Sequence, residues 1–439
     1  MGETETPAAA VPDTHPTGFW FFFWGEFAER CSYYGMRAIL PLYLTTQLKM
    51  PDDQAAEWYS YFKSACYLLP LLGGYLADRY FGRYWTIVGF SVPYVVGQFL
   101  IGVEDRVALV LALALLACGS GVIKPNISAL MGQTYDRQRP GNTRLRPNAF
   151  LWFYFSINVG STLSMLALPI VRNHYGYRVA FLFPAGLMAA ALLVFAAGKR
   201  YYATEPVGPP PASPEERREE REVLANLFGI FGLLVFFWVV YEHNDSLWVF
   251  FARDHMDLTL PGWLGGGALA PDQFQFVNAA LILVLVPLSQ WFWPRVDPTG
   301  RRFPHTRKML LGFLFTASAP AVMSAAGHLA ADGARVSVGW ILLAYLLLTV
   351  GEVLVYGTGL DLSYASAPAR MKGLVTACFL LTNAAGNLIN SRFAPLYGGR
   401  IAPGDFFAID TATGLAAALA FYFVGRRFDR ARAVDAPAA

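Results

Sequence analysis

The sequence predicts an all-α membrane protein with about twelve transmembrane helices. Three observations carry that expectation: too few charges for a soluble surface, a succession of apolar runs of bilayer length, and basic residues that alternate from loop to loop. Of 439 residues, 55% are hydrophobic and 15% charged, where a soluble domain carries about 25% charged. The shortfall assigns most of the outer surface to lipid. A net charge of +3 gives no electrostatic case for a nucleic-acid partner.

The apolar runs cover roughly 18–48, 54–80, 82–103, 106–133, 146–171, 177–202, 224–253, 272–294, 305–328, 335–366, 370–397 and 404–425. A spanning helix needs about 20 such residues. With the termini placed inside, the inside segments hold 22 Lys and Arg and the outside segments 8. The inside set includes Arg79 and Arg83, the arginines between Arg137 and Arg146, Lys199 and Arg200, Arg370 and Lys372, and those from Arg426 to Arg432. This asymmetry predicts cytoplasmic termini and an even number of crossings. Residues 1–17 form an acidic, proline-rich tail without the basic start of a cleaved signal. Residues 203–222, proline-rich and then charged, divide a bundle at 18–202 from a second at 223–426, and 427–439 form a closing tail. The four cysteines, Cys31, Cys66, Cys118 and Cys378, lie in apolar runs without a C-x-x-C pair. Neither a disulfide framework nor a metal site is expected.

Ionisable residues inside spans are costly and usually face a cavity. The first span holds Glu26, Glu29, Arg30 and Arg37, the second Lys63, the fourth Lys124, the seventh Glu242 and Asp245, and the tenth Glu352. Glu26, Glu29, Arg30, Tyr33, Tyr34 and Arg37 follow the i, i+3, i+4, i+7, i+8, i+11 spacing that puts them on one helix face. Trp238, Glu242, Asp245 and Ser246 share a face of the seventh span in the same way. Glu352 stands alone in GEVLVYGTGL. Such a carboxylate needs a basic partner or must take a proton, and that choice can link pH to conformation. His243 is a tempting proton site and equally a hydrogen-bonded structural histidine. At the end of the second span, Asp78, Arg79 and Arg83 can form an ionic latch at the cytoplasmic edge.

Several segments carry a resemblance. GGYLADRYFGR, residues 73–83, resembles the loop 2–3 signature of the major facilitator superfamily. Glu26-Phe-Ala-Glu29-Arg30-Cys-Ser-Tyr33-Tyr34-Gly35 resembles the E-x-x-E-R-F-x-Y-Y-G motif of its proton-dependent oligopeptide transporters. Gly121-Val-Ile-Lys124-Pro125-Asn126, the Phe153-Tyr154 to Asn158-Val-Gly160 stretch, Phe237-Trp238 with Glu242, Asn278, Gly351-Glu352, Gly359-Leu360, Ser363-Tyr364 and Ala367-Pro368 agree in order.

The resemblance implies the major facilitator fold, two six-helix bundles, and symport of di- and tripeptides with protons by alternating access. The chain would act as a monomer in the plasma (inner) membrane, with protons as coupling ion and no other cofactor. It implies proton coupling by Glu26, Glu29, Arg30 and Glu242. Arg37 and Lys124 would pair with the acids of the seventh and tenth spans, and Lys124 would help hold the peptide carboxylate. Tyr33, Tyr34 and Tyr67 would line the pocket, Trp238 would shape a side-chain pocket, and Asn158, Asn278 and Glu352 would receive the peptide amino terminus. Departures from the pattern fall at Cys31, His243, Asp245, Tyr356, Phe379 and the added cation Lys63. They leave open a carrier of nitrate, another small anion or peptide-like drugs. A membrane peptide sensor is a further alternative, although a sensor typically carries a sizeable soluble signalling domain. No nucleophile–base pair, metal-ligand spacing or phosphate-cradling loop points to an enzyme.

Overall fold

The computed structural model describes residues 14–140, 144–203, 213–260, 262, 265–299, 302–366 and 372–435. The first half is built from α1 (Thr17–Leu42), α2 (Asp52–Leu76), α3 (Gly82–Leu100), α4 (Arg106–Gln138) and α5 (Leu145–Ala197). Asp105 starts α4 as an N-cap, its carboxylate accepting from the Val107 and Ala108 amides at 2.8 and 2.9 Å. α5 runs for 53 residues, yet Gly176 within it has φ +80°. That left-handed backbone suits glycine, and it splits α5 into the fifth and sixth crossings where the sequence predicts them.

The second half holds α6 (Pro214–Glu242), α7 (Leu247–His255), α8 (Gln275–Val296), α9 (His305–Leu329), α10 (Gly339–Glu352), α11 (Thr358–Ser366), α12 (Lys372–Phe393) and α13 (Pro403–Asp435). α6 and α7 form one broken crossing through a 3₁₀ turn at His243–Asp245, and α10 and α11 form another through a π turn at Val353–Gly357. Among the described residues these helices make twelve crossings. β1 (Met256–Asp257) and β2 (Val336–Ser337) are a short parallel pair in the loops after α7 and α9.

Seven of the helices, α5 counted once, are long and apolar enough to cross a membrane by length and composition. Among the described residues α1, α2, α3 and α12 are not among them. Two boundaries differ from expectation. α6 begins at Pro214, inside the stretch read as linker, because its charged start is a good helix: Arg218 pairs with Glu222 one turn on at 3.1 Å. α13 likewise passes 426 and ends at Asp435. Ala367, Pro368, Arg370, Arg301, residues 1–13 of the first tail and 204–212 of the linker lie outside the described residues.

Close helix crossings set the frame. A Cβ at Gly73 of α2 would meet the Val122 Cα of α4 at 2.7 Å. The halves meet where α2 packs on α12 and α5 packs on α8.

Candidate functional site

The charged face of α1 points inward. Glu26, Glu29 and Arg30 are buried, and the Arg30 Nε lies 2.8 Å from Glu26 Oε1 and 2.5 Å from Glu29 Oε2. Two carboxylates thus share one guanidinium. Glu26 Oε2, Glu29 Oε1 and Arg30 Nη2 have no hydrogen-bond partner. Arg30 sits over the Tyr33 ring, which meets Tyr34 edge-on at 5.2 Å.

Two turns on, a second cluster joins the halves. Lys63 of α2 donates to both Glu242 and Asp245, and Arg37 Nη2 donates to Asp245 Oδ1 at 3.1 Å. Asn383 of α12 donates to the other Glu242 oxygen at 2.7 Å. Arg37 stacks over Tyr34 at 4.9 Å. The break at His243–Asp245 places Glu242 and Asp245 side by side toward the first half.

Lys124 and Glu352 behave differently. The Lys124 ammonium lies 4.7 Å above the Tyr67 ring. Glu352 accepts from Asn278 Nδ2 and Tyr241 OH, both at 2.8 Å. Of the nine ionisable side chains expected within spans, these two make no ion pair with an opposite charge among the described residues. They stand on opposite halves and both are half-buried. Tyr154 and Tyr356 lie near Glu352 and Tyr34, and Tyr67 lies near Tyr34 and Tyr356.

Several sequence-based expectations need correction. Lys124 pairs with no acid of the seventh or tenth span, because α4 packs on α2 and α3, away from α6. Lys63 takes that place. Asn158 donates to the Tyr154 carbonyl of its own helix at 3.0 Å, whereas Asn278 does reach Glu352. Trp238 is buried, donates to Thr382 Oγ1 at 3.0 Å and meets Tyr356 edge-on. Glu242 sits in the cross-half cluster and has no bond to Glu26, Glu29 or Arg30. At the end of α2 Arg83 pairs with Asp78 at 3.0 Å, while Arg79 is exposed.

Comparison with known proteins then places the chain. A POT family profile matches residues 84–214 and 210–399. The chain belongs to the POT family. It is 32% identical to solute carrier family 15 member 1 of Rattus norvegicus over 71% of this chain and 51% of that protein. It therefore spans about half the length of the solute carrier family 15 relatives it matches. It is 26% identical to the uncharacterized transporter YclF of Bacillus subtilis, over 87% of this chain and 88% of that one. A crystal structure of the peptide transporter POT in complex with sulfate superposes with a TM-score of 0.84 at 26% identity, covering 96% of this chain and 98% of that chain. The POT family transporter PepTSo matches with a TM-score of 0.83 at 26% identity, covering 95% and 99%.

For this POT family chain the described bonds between halves run from the Arg37–Lys63 cluster to the end carrying residues 43–57 and 253–275. Arg172 donates to Asp272, and both are buried. Arg253 pairs with Asp52 at 2.7 Å and Arg392 with Glu57 at 2.5 Å. Gln275 donates to the Ala38 carbonyl at 3.0 Å and Ser64 to the Ala384 carbonyl at 2.8 Å. Sequence reasoning counts Arg172, Arg253 and Arg392 only among the eight basic residues of the outside segments. It also missed Asp410 of α13, which accepts from His243 Nδ1 at 3.0 Å, both fully buried. The signal was available: FFAIDTATG is a lone acid in an apolar run, as Glu352 is.

Proposed function

We propose that this chain is a proton-coupled symporter of di- and tripeptides that works by alternating access, as a monomer, with both termini in the cytoplasm of a plasma (inner) membrane. One observation carries the reading: of the nine interior charges, Lys124 and Glu352 are the two that form no close ion pair among the described residues, and they have opposite sign on opposite halves. A peptide zwitterion supplies both missing partners. Lys124 takes the carboxylate and Glu352, with Asn278, takes the ammonium. Neutral donors hold Glu352 ready to accept without offering it a competing cation. Asn158 and Trp238 contribute from the edge of the pocket, and Tyr33, Tyr34 and Tyr67 give side-chain-tolerant walls.

Coupling follows from stoichiometry of charge. The Glu26, Glu29, Arg30 set holds one acid more than it has bases, and an excess carboxylate inside a membrane is relieved by a proton. Glu242, next to the pocket and bound by Lys63, relays the conformational consequence. Asp78, Arg79 and Arg83 latch the cytoplasmic edge. Residues 18–202 and 223–426 move as the two bundles about the 203–222 connection. The cross-half bonds described above close the outer mouth. Tyr356, between Trp238 and Phe379, fills part of the wall and favours small side chains.

The test is uptake of labelled dialanine into proteoliposomes with an inward proton gradient imposed and then removed. Gradient-dependent accumulation, competed by dipeptides but not by free alanine, is expected. Glu352→Gln should abolish uptake while the protein stays folded. Unchanged uptake in that variant overturns the ammonium role. Transport of nitrate or a drug without any peptide overturns the substrate class, and binding without transport makes the protein a sensor.

A further inference from the structure

A cavity of about 490 Å³ lies between the cytoplasmic ends of α9 and α13, away from the interior charges. Three guanidinium groups line it: Arg307, Arg426 and Arg430. Most of their donors are unspent. Arg307 gives one bond to the Arg302 carbonyl, Arg426 gives one to Tyr422 OH at 2.7 Å, and each guanidinium carries five N–H groups. The single acid, Asp429, is held at 2.6 Å by the Thr306 hydroxyl. The lining is thus cationic by two charges.

The surface above it is apolar. Leu415, Leu419 and Phe423 of α13 are exposed at i, i+4, i+8, and Tyr422, Arg426 and Arg430 continue the same face. Leu310 of α9 lines the cavity, and Leu314, one turn on, is exposed. From Leu415 to Arg426 the helix rises roughly 16 Å, about half of the ~30 Å hydrocarbon thickness. A bare apolar stripe one leaflet long ends in a basic cavity at the membrane edge.

We propose that this cavity binds the phosphodiester headgroup of an anionic phospholipid from the cytoplasmic leaflet, with its acyl chains along the Leu415–Phe423 stripe. Bidentate guanidinium donors suit phosphate oxygens, and basic pockets between helices on the cytoplasmic side suit acidic headgroups. The stripe decides for lipid over free phosphate, which would have no use for it. The assignment of sides rests on the orientation proposed above, but lipid binding does not depend on transport.

The experiment is native mass spectrometry of the purified protein after exchange into mixed phosphatidylglycerol and phosphatidylcholine micelles. Wild type should retain phosphatidylglycerol at least five-fold over phosphatidylcholine. R426Q/R430Q should lose that preference while remaining monodisperse and active in dialanine uptake. D429N, which removes the opposing charge, should raise retention. Equal retention of the two lipids, or unchanged preference in R426Q/R430Q, overturns the site. Displacement of the lipid by millimolar inorganic phosphate overturns the lipid as its occupant.

Discussion

Two charge clusters lie within three turns of each other on α1, and they differ in balance. Glu26, Glu29 and Arg30 belong to one helix and carry an excess acid. Arg37, Lys63, Glu242 and Asp245 belong to three crossings in both halves and are neutral as a set. In the proposed cycle the first set takes up a proton. The second needs nothing added while it is paired, and its opening in the proposed cycle would expose four charges. The difference separates a group built to titrate from a group built to hold. Asp245 and Lys63, two of the six departures from the pattern, are what make the second set balanced: without them one Arg would face one Glu.

The comparison can be broken first at Lys63. Lys63→Met leaves Glu242 and Asp245 buried with one cation between them, and removing one partner of a buried pair costs about 3–5 kcal/mol. Thermal unfolding in detergent should show that loss, and Lys63→Met with Asp245→Asn should recover most of it. A single variant as stable as wild type would mean the cluster is solvated. Next, Glu29→Gln or Glu26→Gln should cut gradient-driven accumulation at least ten-fold and spare counterflow at equal pH. Full accumulation in both would move the titrating group elsewhere. The buried His243–Asp410 pair anchors the broken turn that presents Glu242 and Asp245. Asp410→Asn should therefore shift the pH profile of uptake, and His243→Gln in that background should cost less than in wild type. Additive effects would leave the pair a local packing feature.

Smaller effects sharpen the same contrast at the rim. Arg392→Gln removes a largely exposed pair with Glu57 and should change stability by less than about 1 kcal/mol, against several for Lys63. Smaller still is Asp297, whose carboxylate accepts from the Phe303 amide at 2.7 Å and is held below its ordinary range, first by that bond. Its folded value being the lower one, its contribution is present above the ordinary carboxylate range and is lost as pH falls through the folded value. Proteolysis between α8 and α9 should be slow at neutral pH and rise on acidification, and Asp297→Asn should flatten that dependence.

Much of this was legible in the sequence because it follows from helix period. The α1 stripe appears in spacing alone, and the twelve crossings appear in length and loop charge. Glu352 was found by its isolation, and Asn278 by resemblance. What escaped was partner choice. Whether Lys63 or Lys124 meets Glu242 depends on which helices pack together, and no periodicity within one helix encodes that. The break at His243–Asp245 has no proline or glycine to announce it. Arg172 and Asp272 sit at the ends of their helices, where a charge reads as loop, yet folding buries both.

The π turn at Val353–Gly357 follows directly on Glu352. Such a turn amounts to one residue inserted into a regular helix. Loss of a single codon from this window would restore an even helix and rotate everything beyond it by about 100° relative to Glu352. Ser363 would leave its buried position, and the face of α11 against α9 and α12 would turn toward lipid. An indel here should therefore be tolerated far less than one between α8 and α9, and a library of single-residue deletions scored for uptake would show a sharp minimum at these five positions.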